Sequence, residues 1–151
     1  MIDLLLDLID AAYDRPAWHG PNLRGSVRRV TAEEALRCPA PGRKSIAEHV
    51  VHAAYWKYAV RRLLRGDPRG SFPLKGSNWF APDAIEWKAS LAMLDDEHRL
   101  LRAAVAEFPE DRLGDPSPKK KYRCVDVITG VASHDIYHAG QIQLIRRLVV
   151  A

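Results

Sequence analysis

Cysteine is scarce in this 151-residue chain. Cys38 and Cys124 are the only two, and neither sits in a Cys-x-x-Cys pair. That excludes a disulfide framework and leaves two free thiols in a reducing compartment. Long apolar runs are missing too. Charge interrupts every hydrophobic stretch well before the ~20 residues that a membrane-spanning helix needs. The start, Met1-Ile-Asp-Leu-Leu-Leu-Asp7, has no basic residue, extended apolar middle or small-residue cleavage site, so it does not read as a secretory leader. The expectation is a cytoplasmic protein with no membrane partner. A large charge of either sign is absent as well. The formal net charge is +4, which gives no argument for nucleic acid. The one dense basic run, Lys119-Lys-Lys-Tyr-Arg123, follows Asp115-Pro-Ser-Pro118 and reads as a solvated loop. Internal repeats and strand-like alternation are also lacking.

What is present is helical periodicity. A hydrophobic fraction of 47% and a charged fraction of 28% suit one globular domain over residues 1–151. Ile2, Leu5, Leu6, Ile9 and Tyr13 mark one face of a first helix that must end before Pro16. Thr31 with Glu34 has capping-box spacing and opens a short turn, and Ser45 with Glu48 repeats the pattern. A second long helix follows from Ile46 to about Arg65, stopped by Gly66-Asp-Pro68. Pro82 suits the first turn of a third, carried by Trp87, Leu91, Leu94, His98, Leu101 and Val105 to about Phe108. The fourth runs from about Val125 to Val149 along a seam of Ile128, Val131, His134, His138, Ile142, Ile145 and Leu148. Four long amphipathic helices joined by long loops predict an all-α, four-helix bundle.

His134 and His138 carry the most chemistry. Residues four apart on a helix project from one face, one turn from each other. Imidazole is a common ligand of divalent transition metals. On an apolar seam, two imidazoles are costly unless they share a purpose. A third histidine from a neighbouring helix would complete a site with coordination positions left open. His49 lies nearer the centre of the inward stripe of the second helix, formed with Val50, Ala53, Trp56, Val60, Leu63 and Leu64, and His52 lies at its edge. Spacing leaves both open as the third ligand. Gln141, one turn beyond His138, is placed to hydrogen-bond a ligand or a bound water. His19, in the loop-like Trp18-His-Gly-Pro-Asn-Leu23, is a candidate proton shuttle. Asp135 reads as a cap for another element or a partner for an arginine, His98 as a surface or packing residue, and Tyr137 and Trp56 as packing.

Ser45-Ile-Ala-Glu-His-Val-Val-His52 and Ser133-His-Asp-Ile-Tyr-His-Ala-Gly-Gln141 resemble the two motif regions of the DinB/YfiT-like superfamily, and helix order and loop placement extend the likeness over nearly the whole chain. The resemblance implies a bundle with three metal-binding histidines, one from the second helix and two from the fourth. Carried over by motif, these are His52, His134 and His138. His49 falls where the family usually has an aliphatic residue, so it is either a group behind the ligands or a packed side chain.

Three neutral imidazoles leave the ion its full charge, which suits zinc or nickel first and iron after them. Some members of that superfamily are thiol-dependent transferases and isomerases that act with bacillithiol or mycothiol. By that likeness the site would activate a low-molecular-weight thiol toward a small electrophilic substrate. Loops at 17–30, 66–82 and 109–123 would shape the pocket, and the basic run would meet a carboxylate. The competing expectation is a non-catalytic, stress-linked metal-binding protein. The apolar end, Leu144, Ile145, Leu148, Val149 and Val150, offers surface for a homodimer.

Overall fold

The computed structural model describes residues 1–68, 70, 72–118 and 121–150; Lys119 and Lys120 of the basic run lie outside the described residues. Among the described residues there are six α-helices, not the four expected: α1 (Ile2–Tyr13), α2 (Leu23–Ser26), α3 (Ala32–Leu36), α4 (Ile46–Arg65), α5 (Trp87–Ala106) and α6 (Cys124–Val150), with a 3-10 turn at Glu110–Arg112. The four long ones match the expected count, and α2 and α3 are inserted in the first connection. α4 packs on α5 and α6, α1 packs on the same two, α2 lies on α6, and α3 lies against α4.

Local chemistry sets most boundaries. Both expected capping boxes form. The Glu34 amide donates to Thr31 Oγ1 at 3.2 Å and the Thr31 amide to Glu34 Oε2 at 2.8 Å. At the head of α4 the Glu48 amide donates to Ser45 Oγ at 3.3 Å and the Ser45 amide to Glu48 Oε2 at 2.8 Å. Gly66 ends α4 in the left-handed region at φ 70°, where a side chain would be strained. α2 has no apolar run of its own, so its segment resembles loop in sequence; Asn22 caps it, its Oδ1 accepting from the Gly25 amide at 2.8 Å. α5 begins at Trp87, not at Pro82. The Trp87 indole donates to the Val30 carbonyl at 2.9 Å, which pins the helix start to the α2–α3 connection and leaves 81–86 as turns.

Two apolar clusters form the core. One joins Ile46, Val50, Ala53 and Ala54 of α4 to Ala139, Ile142 and Ile145 of α6, with Leu23, Val27 and Leu94. The other joins Val60 to Ile128, Val131 and Ala132, with Leu5, Ile9, Leu101 and Val105. Each fully buried Leu, Ile or Val stabilises by about 1.5–3 kcal/mol. The antiparallel pairing of α4 with α6 leaves a polar stretch between the two clusters. His52 falls between Val50 and Val60, while His134 and His138 fall between Val131 and Ile142.

Candidate metal centre

His52, His134 and His138 converge, each offering a ring nitrogen, with the three atoms all within 4.8 Å of one another. His134 Nε2 stands 3.2 Å from His52 Nε2 and 3.0 Å from His138 Nε2. Zinc–nitrogen bonds of ~2.0–2.1 Å place two ligating nitrogens roughly 3.3 Å apart in a tetrahedral site and roughly 2.9 Å apart in an octahedral one. These two separations lie between those values and the third pair lies within 4.8 Å, so the donor set fits a divalent transition ion. His52 was expected at the stripe edge, but it is buried beside Trp79.

The outer nitrogen decides the tautomer of one ring, His52. His52 Nδ1 donates to the Asn78 carbonyl at 2.6 Å. A carbonyl only accepts, so the ring proton sits on Nδ1 and Nε2 presents a lone pair to the cluster. His138 Nδ1 meets His49 Nδ1 at 2.8 Å. His49 therefore touches the far side of His138, away from the three converging nitrogens. His134 Nδ1 is buried without a hydrogen-bond partner among the described residues.

Burial holds all four rings neutral. It pushes His134 down to about 4, with His52 and Lys57 adding to the effect, and His138 down to about 2, with His134 and His49 adding. His49 falls to about 4, chiefly through burial. His52 is also lowered by burial, while its bond to Asn78 pulls the other way. Neutral imidazole is the form that ligates a metal.

The 66–82 loop contributes as expected, through residues that the spacing could not single out. The Trp79 ring stacks on His52 with centroids 3.8 Å apart and meets His49 edge-on at 5.3 Å. Phe72 and Phe80 seat the loop against Tyr55 at 5.3 and 5.7 Å. Gly76 makes the turn at φ 155°, where an added Cβ would lie 2.8 Å from both Phe80 and the Trp79 carbonyl.

Two clefts of about 460 Å³ flank the cluster. The first reaches His49 and His138 and carries Arg43 and Lys44 on its rim, with Trp79, Gln141 and Leu144 among its walls. The second reaches His134 and is walled by Trp56, Val60, Leu63, Val127 and Val131, with Ser117 and Tyr122 from the 109–123 loop. The 17–30 segment lines neither of them, and residues 39–44, not expected at a pocket, line the first. His19 is exposed and lines neither cleft, so no described contact supports a proton-shuttle role for it. Gln141 Nε2 donates to the Tyr137 hydroxyl at 3.3 Å, and its Oε1 is buried with no partner among the described residues. Tyr137 is 63% exposed, not packed, and Leu148 of the expected seam is 57% exposed.

Behind the histidines lies a second polar layer that was not expected as a unit. Lys57 and Asp135 form a fully buried ion pair. Lys57 Nζ also reaches His98 Nδ1 at 3.5 Å, and His98 Nε2 faces Asp10 Oδ1 at 3.6 Å. Asp10 accepts from Arg102 at 3.0 Å and pairs with Arg15 at 2.9 Å. Asp135 pairs with a lysine, not with the arginine or capped element expected of it, and His98 is buried, stacked on Tyr13 at 3.7 Å. Lys57 was overlooked, although a lysine within the apolar stripe of α4 is itself a signal of buried charge.

The sequence pattern of the DinB superfamily matches residues 3–142. The chain belongs to the DinB superfamily. Its all-α DinB fold is shared with a conserved protein of Enterococcus faecalis, solved by crystallography, at 19% identity and a TM-score of 0.78, covering 99% of this chain and 97% of that one. No curated protein matches the chain. Among the described residues no helix is long and apolar enough to cross a membrane.

Proposed function

We infer that this DinB chain binds a divalent transition ion, zinc or nickel before iron, through His52, His134 and His138. The further inference of activity is a metal-dependent enzyme of the thiol S-transferase or isomerase kind. The observation that carries the reading is the convergence of three neutral imidazoles, with ring nitrogens all within 4.8 Å of one another. An ion held there would act as a Lewis acid, lowering the pKa of a bound water or thiol.

The chain's own residues supply the rest. Asn78 and Trp79 orient His52. Gln141 is placed to hydrogen-bond a ligand in the first cleft, where Arg43 and Lys44 would attract an anionic group. Among the described cations of the basic run Arg123 pairs with Asp126, so the expected carboxylate contact falls to Lys121. A single domain, a cytoplasmic location and a homodimer through exposed Leu144 and Leu148 complete the proposal. Nucleic acid has no part in it.

The burial of His52 and His138 favours a second reading, in which the metal only braces α4 against α6 and the protein is a non-catalytic, stress-linked metal binder. Elemental analysis of protein purified without added metal tests the site. Metal-dependent loss of free thiol with an electrophile such as monobromobimane tests the activity. Full transfer by His52→Ala and His138→Ala would rule the enzyme reading out. Bound metal without transfer would leave the brace.

A further inference from the structure

We propose that His49 is a positioning residue for the metal centre, holding His138 in the tautomer that presents Nε2 to the ion. The inference rests on the reading of His52, His134 and His138 as ligands. The observation behind it is the 2.8 Å contact between the two Nδ1 atoms. One of these nitrogens must donate and the other accept. If His138 uses Nε2 as its lone-pair donor, its proton is on Nδ1, and His49 must be the acceptor. His49 then carries its own proton on Nε2.

The three ligands differ in how this is secured. His52 has a backbone carbonyl behind it, which permits one tautomer only. His134 has no described partner behind it. His138 has another imidazole, which permits two arrangements, so the choice made by His49 decides whether the site is open to a cation. His49 is well placed to impose that choice. It is 5% exposed, its ring is held edge-on by Trp79, and it lies one turn before Ala53, a member of the apolar cluster that joins α4 to α6. Groups behind a ligand that fix its ring and tautomer commonly matter 10–100-fold for metal affinity. His49 also lines the first cleft, so a ligand bound there would touch the group that orients His138.

The test compares zinc affinity in wild type, His49→Ala and His49→Asn by competition with a chromophoric chelator. The His138 tautomer is read from imidazole nitrogen shifts in the metal-free proteins. An asparagine Oδ1 stands near the place of Nδ1 and can only accept. We expect His49→Ala to lose about 10–100-fold in affinity and His49→Asn to stay within about threefold of wild type. His138 should carry its proton on Nδ1 in wild type and His49→Asn, and populate both forms in His49→Ala. A purely packing role would lower the stability of both variants alike without separating their affinities. Equal affinity in wild type and His49→Ala, or a His138 proton on Nε2 in the wild type, overturns this inference alone. Absence of zinc binding by the wild type overturns the metal reading, and this inference with it.

Discussion

Lys57 and His52 stand little more than one turn apart on α4, both buried and both facing α6, yet their surroundings differ in kind. Around Lys57 the charges cancel: an ammonium and two guanidinium groups meet the carboxylates of Asp135, Asp10 and Asp7, and His98 fills the space between. Burial pushes the Asp135 carboxyl upward, and the ammonium against it pulls the other way. Around His52 there is no countercharge, only further neutral rings whose nitrogens face one another. The first layer is balanced in charge, although Asp135 Oδ1 has no hydrogen-bond partner among the described residues, while the second has no charge to balance its nitrogens. A buried polar layer that lacks a charge of one sign points to a ligand, whereas a balanced one points to architecture.

The contrast is open to attack at both layers. Lys57→Met would leave Asp135 buried and unpaired, at an expected cost of about 3–5 kcal/mol in urea denaturation, the same with or without zinc. A cost under about 1 kcal/mol would show that the ion pair is not closed off from water. Adding Asp135→Leu should recover most of the loss. In the histidine layer, zinc at a hundred times its Kd should stabilise the wild type by about 2.7 kcal/mol. That corresponds to a rise in Tm of roughly 5–10 °C for a chain of this size. His134→Ala should show no such rise, and an equal rise would place the ion elsewhere.

The pH dependence follows from the lowered histidines. Folded values of about 4 for His134 and His49 and about 2 for His138 lie below the ordinary 6.5, so the unfolded chain takes up protons first. Their contribution to stability is full above pH 6.5 and drains away as pH falls toward 4, as urea midpoints across that range will show. His98, lowered to about 3, adds to the same slope. Zinc affinity of the folded protein is sharper, because protons compete only near the folded values. It should hold from neutrality to about pH 5 and fall below that. A decline beginning at pH 6.5 would mean that the three rings are solvated. The mildest change is Trp79→Ala. It removes the stacking partner of His52 and should cost about 0.5–1.5 kcal/mol in thermal unfolding beyond lost burial, with weaker zinc binding. A variant as stable and as tight as wild type would separate the loop from the site.

Legibility along the chain depended on distance. Both capping boxes and the stop at Gly66 could be read because their partners lie within four residues. His134 and His138 could be paired because a helix repeats every 3.6 residues. The choice of His52 over His49 came from family resemblance, since periodicity favoured His49 slightly. Asn78 and Trp79 gave no usable signal, because a loop residue has no fixed phase relative to a helix. The start of α5 was misplaced for a related reason: Pro82 offered a local cue, but the Trp87–Val30 bond across the fold outweighed it.

Periodic spacing and end-capping were thus enough to establish an all-helical chain with two histidines on one face, because those interactions are short-ranged and carried by neighbours. Which third ring joins them, which carbonyl holds its proton and which lysine balances Asp135 depended on how α4, α5 and α6 pack against one another. Those contacts bridge dozens of residues and exist only once the apolar clusters on either side have drawn the helices together.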